Sequence, residues 1–435
     1  MRYVVLGNGV AGMEAALVLR ERDASAQIAI VSDEHDHFFS RPALMYVFAG
    51  QMRLRDTEPY DRGLYGRMGF ERVRGRVTAL DTAGRRLSLE DGGSLGYDRL
   101  LLALGSQGRP APWPGADGPG LHYFVTLGDL ERLDREALPG MRAVVVGGGL
   151  IGVEVAEILH DRGLAVTFVI RESWAFPVAL ERRESAIVAE HVHAHGVDVR
   201  LGAVVQEVVR GADGRPQAVV VGPAPAKGGA SQAEIATDLV VSAIGVVPRT
   251  GFLAGSGVSL AANGGIETDD GLRTSAPDVW AAGDCANVTT PEGTRRVEQL
   301  WYTAREQGRV AGRSLLGDPV VYRRSGPFNS AKFFDLEWTT AGFVPAEISP
   351  AGEPLPLPAG VSSWFERAAG RLASRRVVVR DGRVVGFNML GSRWEHELLL
   401  RWIAERRSLD WVLAHLAEAQ FDEELSPRLV SQGRS

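Results

Sequence analysis

Cysteine and lysine are nearly missing from this 435-residue chain. Cys285 is its one cysteine, which excludes an intrachain disulfide, a CxxC redox pair and any cysteine-based metal cluster. Lysine stands at 227 and 332, and every other basic side chain is arginine, a compositional bias. No apolar run approaches the roughly eighteen residues of a membrane span. The chain starts directly on an apolar strand, MRYVVLG, without a charged leader, so a cytoplasmic protein with no integral membrane segment is expected. An excess of positive charge is also lacking. The net charge of -6 gives no general attraction to nucleic acid or to an anionic membrane surface. What is present is apolar bulk: 45% hydrophobic residues over this length fill two or three cores rather than one.

A repeat organises the chain. Strand, glycine loop and helix occur as YVVLGNGVAGMEAALVLRE and again as AVVVGGGLIGVEVAEILHD. Each is followed by a second strand, IAIVSDE or AVTFVIRE, and each unit ends alike, in YDRLLLALGS or TDLVVSAIGV. Two doubly wound α/β units are implied. GRPAPWPGADGPG reads as the linker between them and GVVPRTGFL as the return crossing. The strand VWAAGD and a helix over about 297–316 follow that crossing, so the first unit is expected to be discontinuous. The expected division is 1–112 with 247–319, then 113–246, then a C-terminal α+β domain over 320–435. In the last, Asp381-Gly382 is a hairpin turn signal, and HELLLRWIAERR and LDWVLAHLAEAQ are helical. Gly211 to Ala236 reads as a loose hairpin insertion without chemistry.

The two loops carry the functional signal. Gly7, Gly9 and Gly12 follow a strand and open a helix: the first permits a tight turn, the second a close pyrophosphate, the third close helix–strand packing. The free N–H groups and positive dipole end of the helix then face the phosphates. Asp33 and Glu34 end the next strand, where a carboxylate accepts hydrogen bonds from a ribose diol. Gly147, Gly149 and Gly152 repeat the pattern. Two such loops mean two dinucleotides, and the common pair is a flavin and a nicotinamide. At the second strand end Ile170 holds the acidic place, followed by Arg171 and Glu172. Arg171 suits a 2′-phosphate and Glu172 a free diol, so NADH and NADPH both stay open.

These residues resemble the two-dinucleotide-binding flavoproteins related to pyridine nucleotide-disulfide reductases, over nearly the whole chain. TSAPDVWAAGDCAN is similar to the family's second flavin motif, in which Gly283 and Asp284 would meet the ribityl chain. ALGS, with Ala103 and Gly105, resembles the turn closing the flavin domain. SRPALMYVFAG resembles the segment along the flavin in the ferredoxin- and rubredoxin-reductase subgroup, and EQLWYTAREQG the helix end facing the flavin's pyrimidine side. The resemblance therefore implies FAD contacts from Asn8, Val10, Ala11, Arg41, Pro42, Val77, Gln299, Leu300 and Trp301. It implies NAD(P) contacts from Leu150, Ile151 and Gly245 beside the loop glycines. FNSAKFFDLEWTTAG and GRVVGFNMLG resemble the subgroup's interface domain, whose first segment approaches the flavin.

Departures from the family bear on mechanism. Phe39, Ser40 and Arg41 stand where disulfide reductases place a redox cysteine, so no dithiol relay is expected. Tyr46 replaces the subgroup's lysine, the ion-pair partner of the glycine-helix glutamate, here Glu154. Tyr46, Glu154 and Lys332 are the expected catalytic residues, with Lys332 toward the flavin. The expectation is an FAD-dependent NAD(P)H oxidoreductase that passes a hydride from NADH or NADPH to FAD and electrons to a ferredoxin- or rubredoxin-type protein. Alternatives are an oxidase, a quinone or small-molecule reductase, and a flavin-bearing subunit of a larger complex. A homodimer through the C-terminal domain is also implied. No metal site is expected: on a helix His191 and His195 share a face while His193 points elsewhere, and the segment reads as an ordinary helix ending at Gly196.

Overall fold

The computed structural model describes residues 1–177, 179–224, 232–290, 293–324, 326–347 and 355–421. The apex of the Gly211–Ala236 insertion, with Lys227, lies outside the described residues, as does the chain after Phe421.

The chain divides into two compact units: 1–109, 125–132 and 246–325 form the first; 110–124, 133–245 and 326–435 form the second. In the first, five parallel strands run in the order Val279–Ala281, Arg99–Leu102, Arg2–Leu6, Gln27–Ser32, Phe70–Arg74. Their central residues, such as Val5, Ala29 and Leu101, are fully buried, as expected of strands covered on both faces. One cover is a helix pair, Val10–Arg22 and Trp301–Leu315. A Cβ on Gly308 would lie 2.4 Å from the Ala11 carbonyl oxygen, so only glycine permits the two helices this approach. Glu14 fastens the pair by accepting from Arg305 at 3.0 Å and Arg309 at 2.7 Å. The two crossings also pair, Ser106–Gly108 running antiparallel to Val246–Pro248.

The second unit repeats the parallel sheet, in the order Asp198–Leu201, Ala165–Ile170, Arg142–Val146, Leu239–Ser242, Leu121–His122. It also contains a five-stranded antiparallel sheet, Phe328–Phe333, Leu336–Gly342, Arg383–Leu390, Ser374–Arg380 and Val361–Arg367 in spatial order. Asp381 and Gly382 both have positive φ, 50° and 73°, and make the two-residue hairpin turn there. A buried ionic cluster ties this sheet to the helix Arg182–Ala194. Arg376 reaches Glu184 at 3.0 Å and the Ala179 carbonyl at 3.1 Å, while Asn388 bridges Glu184 and the Trp338 indole N–H. The α+β region therefore shares a unit with the second dinucleotide fold.

Residues Val125–Arg132 join the first unit although they follow the Pro/Gly linker. The cause is local: Arg41 donates to the Val125 carbonyl at 2.8 Å, and Glu34 accepts the Leu127 N–H at 2.8 Å.

Candidate dinucleotide sites

Both glycine loops have the same build, and each glycine shows its own reason. Gly7 and Gly147 share φ of 121°, and a Cβ would lie 2.0 Å from the Ala103 oxygen in one loop and 2.3 Å from the Ala243 oxygen in the other. A Cβ on Gly12 or Gly152 would strike the carbonyl of the loop's first glycine at 2.0 or 1.9 Å. At Gly9 and Gly149 a Cβ would meet nothing within 4 Å. These middle glycines are the N-caps of Val10–Arg22 and Leu150–Asp161, where no side chain caps the helix and no acid occupies the first turn. An open surface over uncapped N–H groups fits a pyrophosphate in both units. Leu150 and Ile151, like Val10 and Ala11, supply the first turn.

Around the first loop the side chains fall into two sets. A Cβ on Gly283 would lie 3.0 Å from the methyl of Ala11, and the Gly283 N–H donates to Gln307 at 2.7 Å. Asp284 is thereby held beside the helix start and accepts the Ser106 hydroxyl at 2.9 Å. Burial pushes the Asp284 carboxyl above the usual range, and Ser106 and the field of Arg41 partly offset that. Ala103 closes against Gly7, and Gly105 follows with φ of 67°. The Trp301 indole N–H, at the start of its helix after Leu300, is buried without a partner among the described residues, a donor suited to a cofactor oxygen. Gln299 is exposed and donates to the Val246 carbonyl at 3.5 Å.

The second set is engaged with protein. Arg41 forks Glu34 at 2.9 and 2.6 Å, so both charges serve to hold the loop that runs through Pro42. Burial raises the Glu34 carboxyl, but Arg41 and the Leu127 N–H outweigh it and leave it below its ordinary value. Asp33 bridges Arg249 at 2.7 Å and stays partly exposed. Asn8 accepts from the Tyr65 hydroxyl, which itself accepts the Phe38 N–H, both at 2.8 Å. Sequence reading missed Tyr65 because 57 positions separate it from Asn8. Val77 is a buried strand residue paired with Leu89.

In the second unit Arg171 turns onto its neighbour, donating to Glu172 at 3.1 and 2.6 Å. Gly245 has φ of 108° at the end of the unit's sheet strand. Glu154 and Glu157 lie one turn apart on the glycine helix, and Lys332 donates to Glu157. Burial first, and the Glu157 charge next, push Glu154 up to about 7, with Lys332 opposing. The ammonium expected toward the flavin is thus engaged on the helix that carries the second glycine loop. Glu157 was missed, although its i+3 spacing from Glu154 signals a shared face. Tyr46 lies in the helix Leu44–Phe48 of the first unit. Cys285 is fully buried against Leu102 and Ala282 carbonyls, and burial pushes its thiol up to about 12, so it fills space as a neutral group.

Residues 1–308 match the pattern of the pyridine nucleotide-disulphide oxidoreductases. The chain belongs to that family. Among curated relatives it is 31% identical over 348 residues to the ferredoxin reductase subunit of 5,5'-dehydrodivanillate O-demethylase from Sphingobium sp. strain SYK-6, covering 79% of this chain and 82% of that one. It is 33% identical to rhodocoxin reductase of Rhodococcus erythropolis, covering 79% and 78%. Its fold superposes on putidaredoxin reductase in its covalent complex with putidaredoxin with a TM-score of 0.80 at 23% identity, over 96% and 98% of the two chains. This family member is an FAD-dependent oxidoreductase that uses NADH or NADPH. It differs from the disulphide-reducing members in having a single, buried cysteine. Among the described residues no helix is long and apolar enough to cross a membrane.

Proposed function

We propose that this oxidoreductase is the reductase of a small iron–sulfur protein of the ferredoxin type, with FAD in the first unit and NADH in the second. The observation that carries the reading is the pair of matched, uncapped loops in a chain without a dithiol: each unit offers a place for one dinucleotide, and no thiol pair is available as a relay. Its relatives support the acceptor, being named as reductases of ferredoxins. FAD, when bound, accepts a hydride and can release its electrons singly.

The chain's residues bind and orient. The N–H groups of Val10 and Ala11 meet the FAD pyrophosphate, Asp284 holds a ribityl hydroxyl, and the Trp301 indole donates to a flavin oxygen. Asp33, whose bridge to Arg249 is partly exposed, takes the ribose, since Glu34 is committed to Arg41. Leu150 and Ile151 receive the nicotinamide pyrophosphate. Glu154 lies on the nicotinamide side with Lys332 favouring its ionised form, and Tyr46, on the helix Leu44–Phe48 of the first unit, is the further catalytic residue.

NADH is the nucleotide we assign, because Glu172 already neutralises Arg171 and a 2′-phosphate would have to break that pair. Arg171→Ala is then expected to leave kcat/KM for NADH within about twofold, whereas a true phosphate ligand would cost NADPH about tenfold or more, from the roughly 1.5 to 3 kcal/mol of a charged hydrogen bond. A wild-type preference for NADPH that Arg171→Ala abolishes overturns the assignment. The nucleotide points to a cytoplasmic enzyme. A homodimer would form through the C-terminal sheet, whose edge strand Val361–Arg367 can pair with a second copy; sedimentation of the holoprotein reads this.

A further inference from the structure

The hairpin turn between Phe328–Phe333 and Leu336–Gly342 places Asp335 against the last turn of the helix Arg182–Ala194. Two imidazoles of that helix converge on one carboxylate oxygen: His191 Nε2 lies 2.6 Å and His195 Nε2 3.3 Å from Asp335 Oδ1. The three ligand atoms all lie within 4.8 Å of one another. His195 Nδ1 is 2.9 Å from the His191 carbonyl oxygen, and a carbonyl can only accept, so Nδ1 carries the hydrogen. In the neutral ring the Nε2 lone pair then faces a carboxylate. Two lone pairs at that separation repel, and a cation between them removes the conflict. The carbonyl end of the helix adds to the attraction for positive charge.

We infer that His191, His195 and Asp335 form a site for a first-row divalent ion of the zinc type, clasping the turn of the C-terminal sheet to the helix. The donor set suits the ion: imidazole nitrogens with a carboxylate are common zinc ligands, and a backbone-bonded Nδ1 is the usual way of aiming Nε2 at a metal. Tetrahedral ligands about 2.0 Å from zinc lie about 3.3 Å apart, so the group needs to open by less than an ångström on the His191 side. Asp335 is exposed, which gives the ion a path and leaves a fourth position for water. The turn is held tightly: Phe334 has φ of 59°, uncommon for a bulky residue, and its ring packs 4.7 Å from that of His195 and 6.1 Å from that of His160. Lys332 stands three residues before Asp335, so the ion would anchor the segment that brings the ammonium to Glu157.

A second group of similar composition, His35, His37 and Glu58, carries no such proposal. Arg72 lies 3.0 Å from His37 Nε2, and Arg62 forks Glu58 at 2.9 and 2.7 Å, so guanidinium charge already fills that place.

The test is zinc titration of the FAD-loaded protein by calorimetry, with thermal unfolding as a second reading. One zinc per chain is expected, with an unfolding temperature that rises with zinc concentration. His195→Gln and Asp335→Asn should each weaken binding by about tenfold or more while keeping FAD content and circular dichroism, and His37→Gln should leave it unchanged. Binding should tighten from pH 6 to pH 8 as the displaced protons become easier to lose. Wild type binding no more zinc than the His191→Gln/His195→Gln double variant overturns the inference and leaves an imidazolium–carboxylate pair. So does binding that only His37→Gln removes.

Discussion

At the scale of the residue, charge placement decides what each carboxylate can do. Asp284 is half-buried beside the first glycine helix and held by Ser106, so replacing it removes a charge-assisted acceptor. Asp284→Ala is expected to weaken FAD retention by about ten- to a hundredfold, the equivalent of roughly 1.5 to 3 kcal/mol. Gel filtration with the flavin absorbance as readout checks it, and stoichiometric FAD after dilution contradicts the placement. Glu154 carries the opposite kind of signal. Its carboxyl is pushed up to about 7 by burial and by Glu157, against the pull of Lys332. Removing the cation disfavours the ionised form further, so Lys332→Met should move the Glu154 titration to higher pH. Infrared difference titration, with Glu154→Gln to identify the band, reads this directly, and an unmoved midpoint removes Lys332 from the role. Sequence showed Glu154 and Lys332 as candidates. Their meeting point at Glu157 was hidden, because 175 positions separate the lysine from its partner.

Elements were legible where their requirements are local. A positive φ, an open N-cap and a carbonyl 2 Å from a would-be Cβ are conditions on single glycines, which is why both loops could be read from spacing. The Asp381-Gly382 hairpin is of the same kind. Contacts between distant elements left no such trace: Glu34 with Arg41 and Leu127, Asn8 with Tyr65, and Glu184 with Arg376 all depend on the finished fold. The last pair makes an element-scale prediction. Arg376→Met strands Glu184 in a dry core and should cost about 3 to 5 kcal/mol in chemical denaturation, whereas Glu184→Gln/Arg376→Met together should cost much less. Burial, the largest influence, and the neighbouring groups leave Glu184 near 7 against an ordinary 4.5. A raised carboxyl binds its proton more tightly in the folded state, so its contribution to stability falls as pH rises from about 4.5 to 7. Glu184→Gln should flatten the stability curve over that window, and an unchanged slope contradicts this.

For the whole molecule, the doubled fold carries the function. One unit repeats the other's strand–glycine–helix plan, with the same φ of 121° at the first glycine, and the family to which the chain belongs binds both FAD and NAD(P)H. The acceptor is a matter of what lies beyond the chain, so neither sheet order nor loop geometry encodes it; the relatives supply that part of the reading. The lone cysteine is buried and its thiol is pushed up to about 12, so it offers no thiolate for disulfide chemistry.

The most direct test of the central claim is an anaerobic titration of the FAD-loaded protein with NADH, followed by addition of an oxidised [2Fe–2S] ferredoxin. One NADH per chain is expected to bleach the flavin completely, arsenite to have no effect, and two ferredoxins to be reduced per NADH consumed. An NADH-treated flavin that stays oxidised, or one that reduces oxygen or quinone rapidly while leaving ferredoxin untouched, contradicts the account.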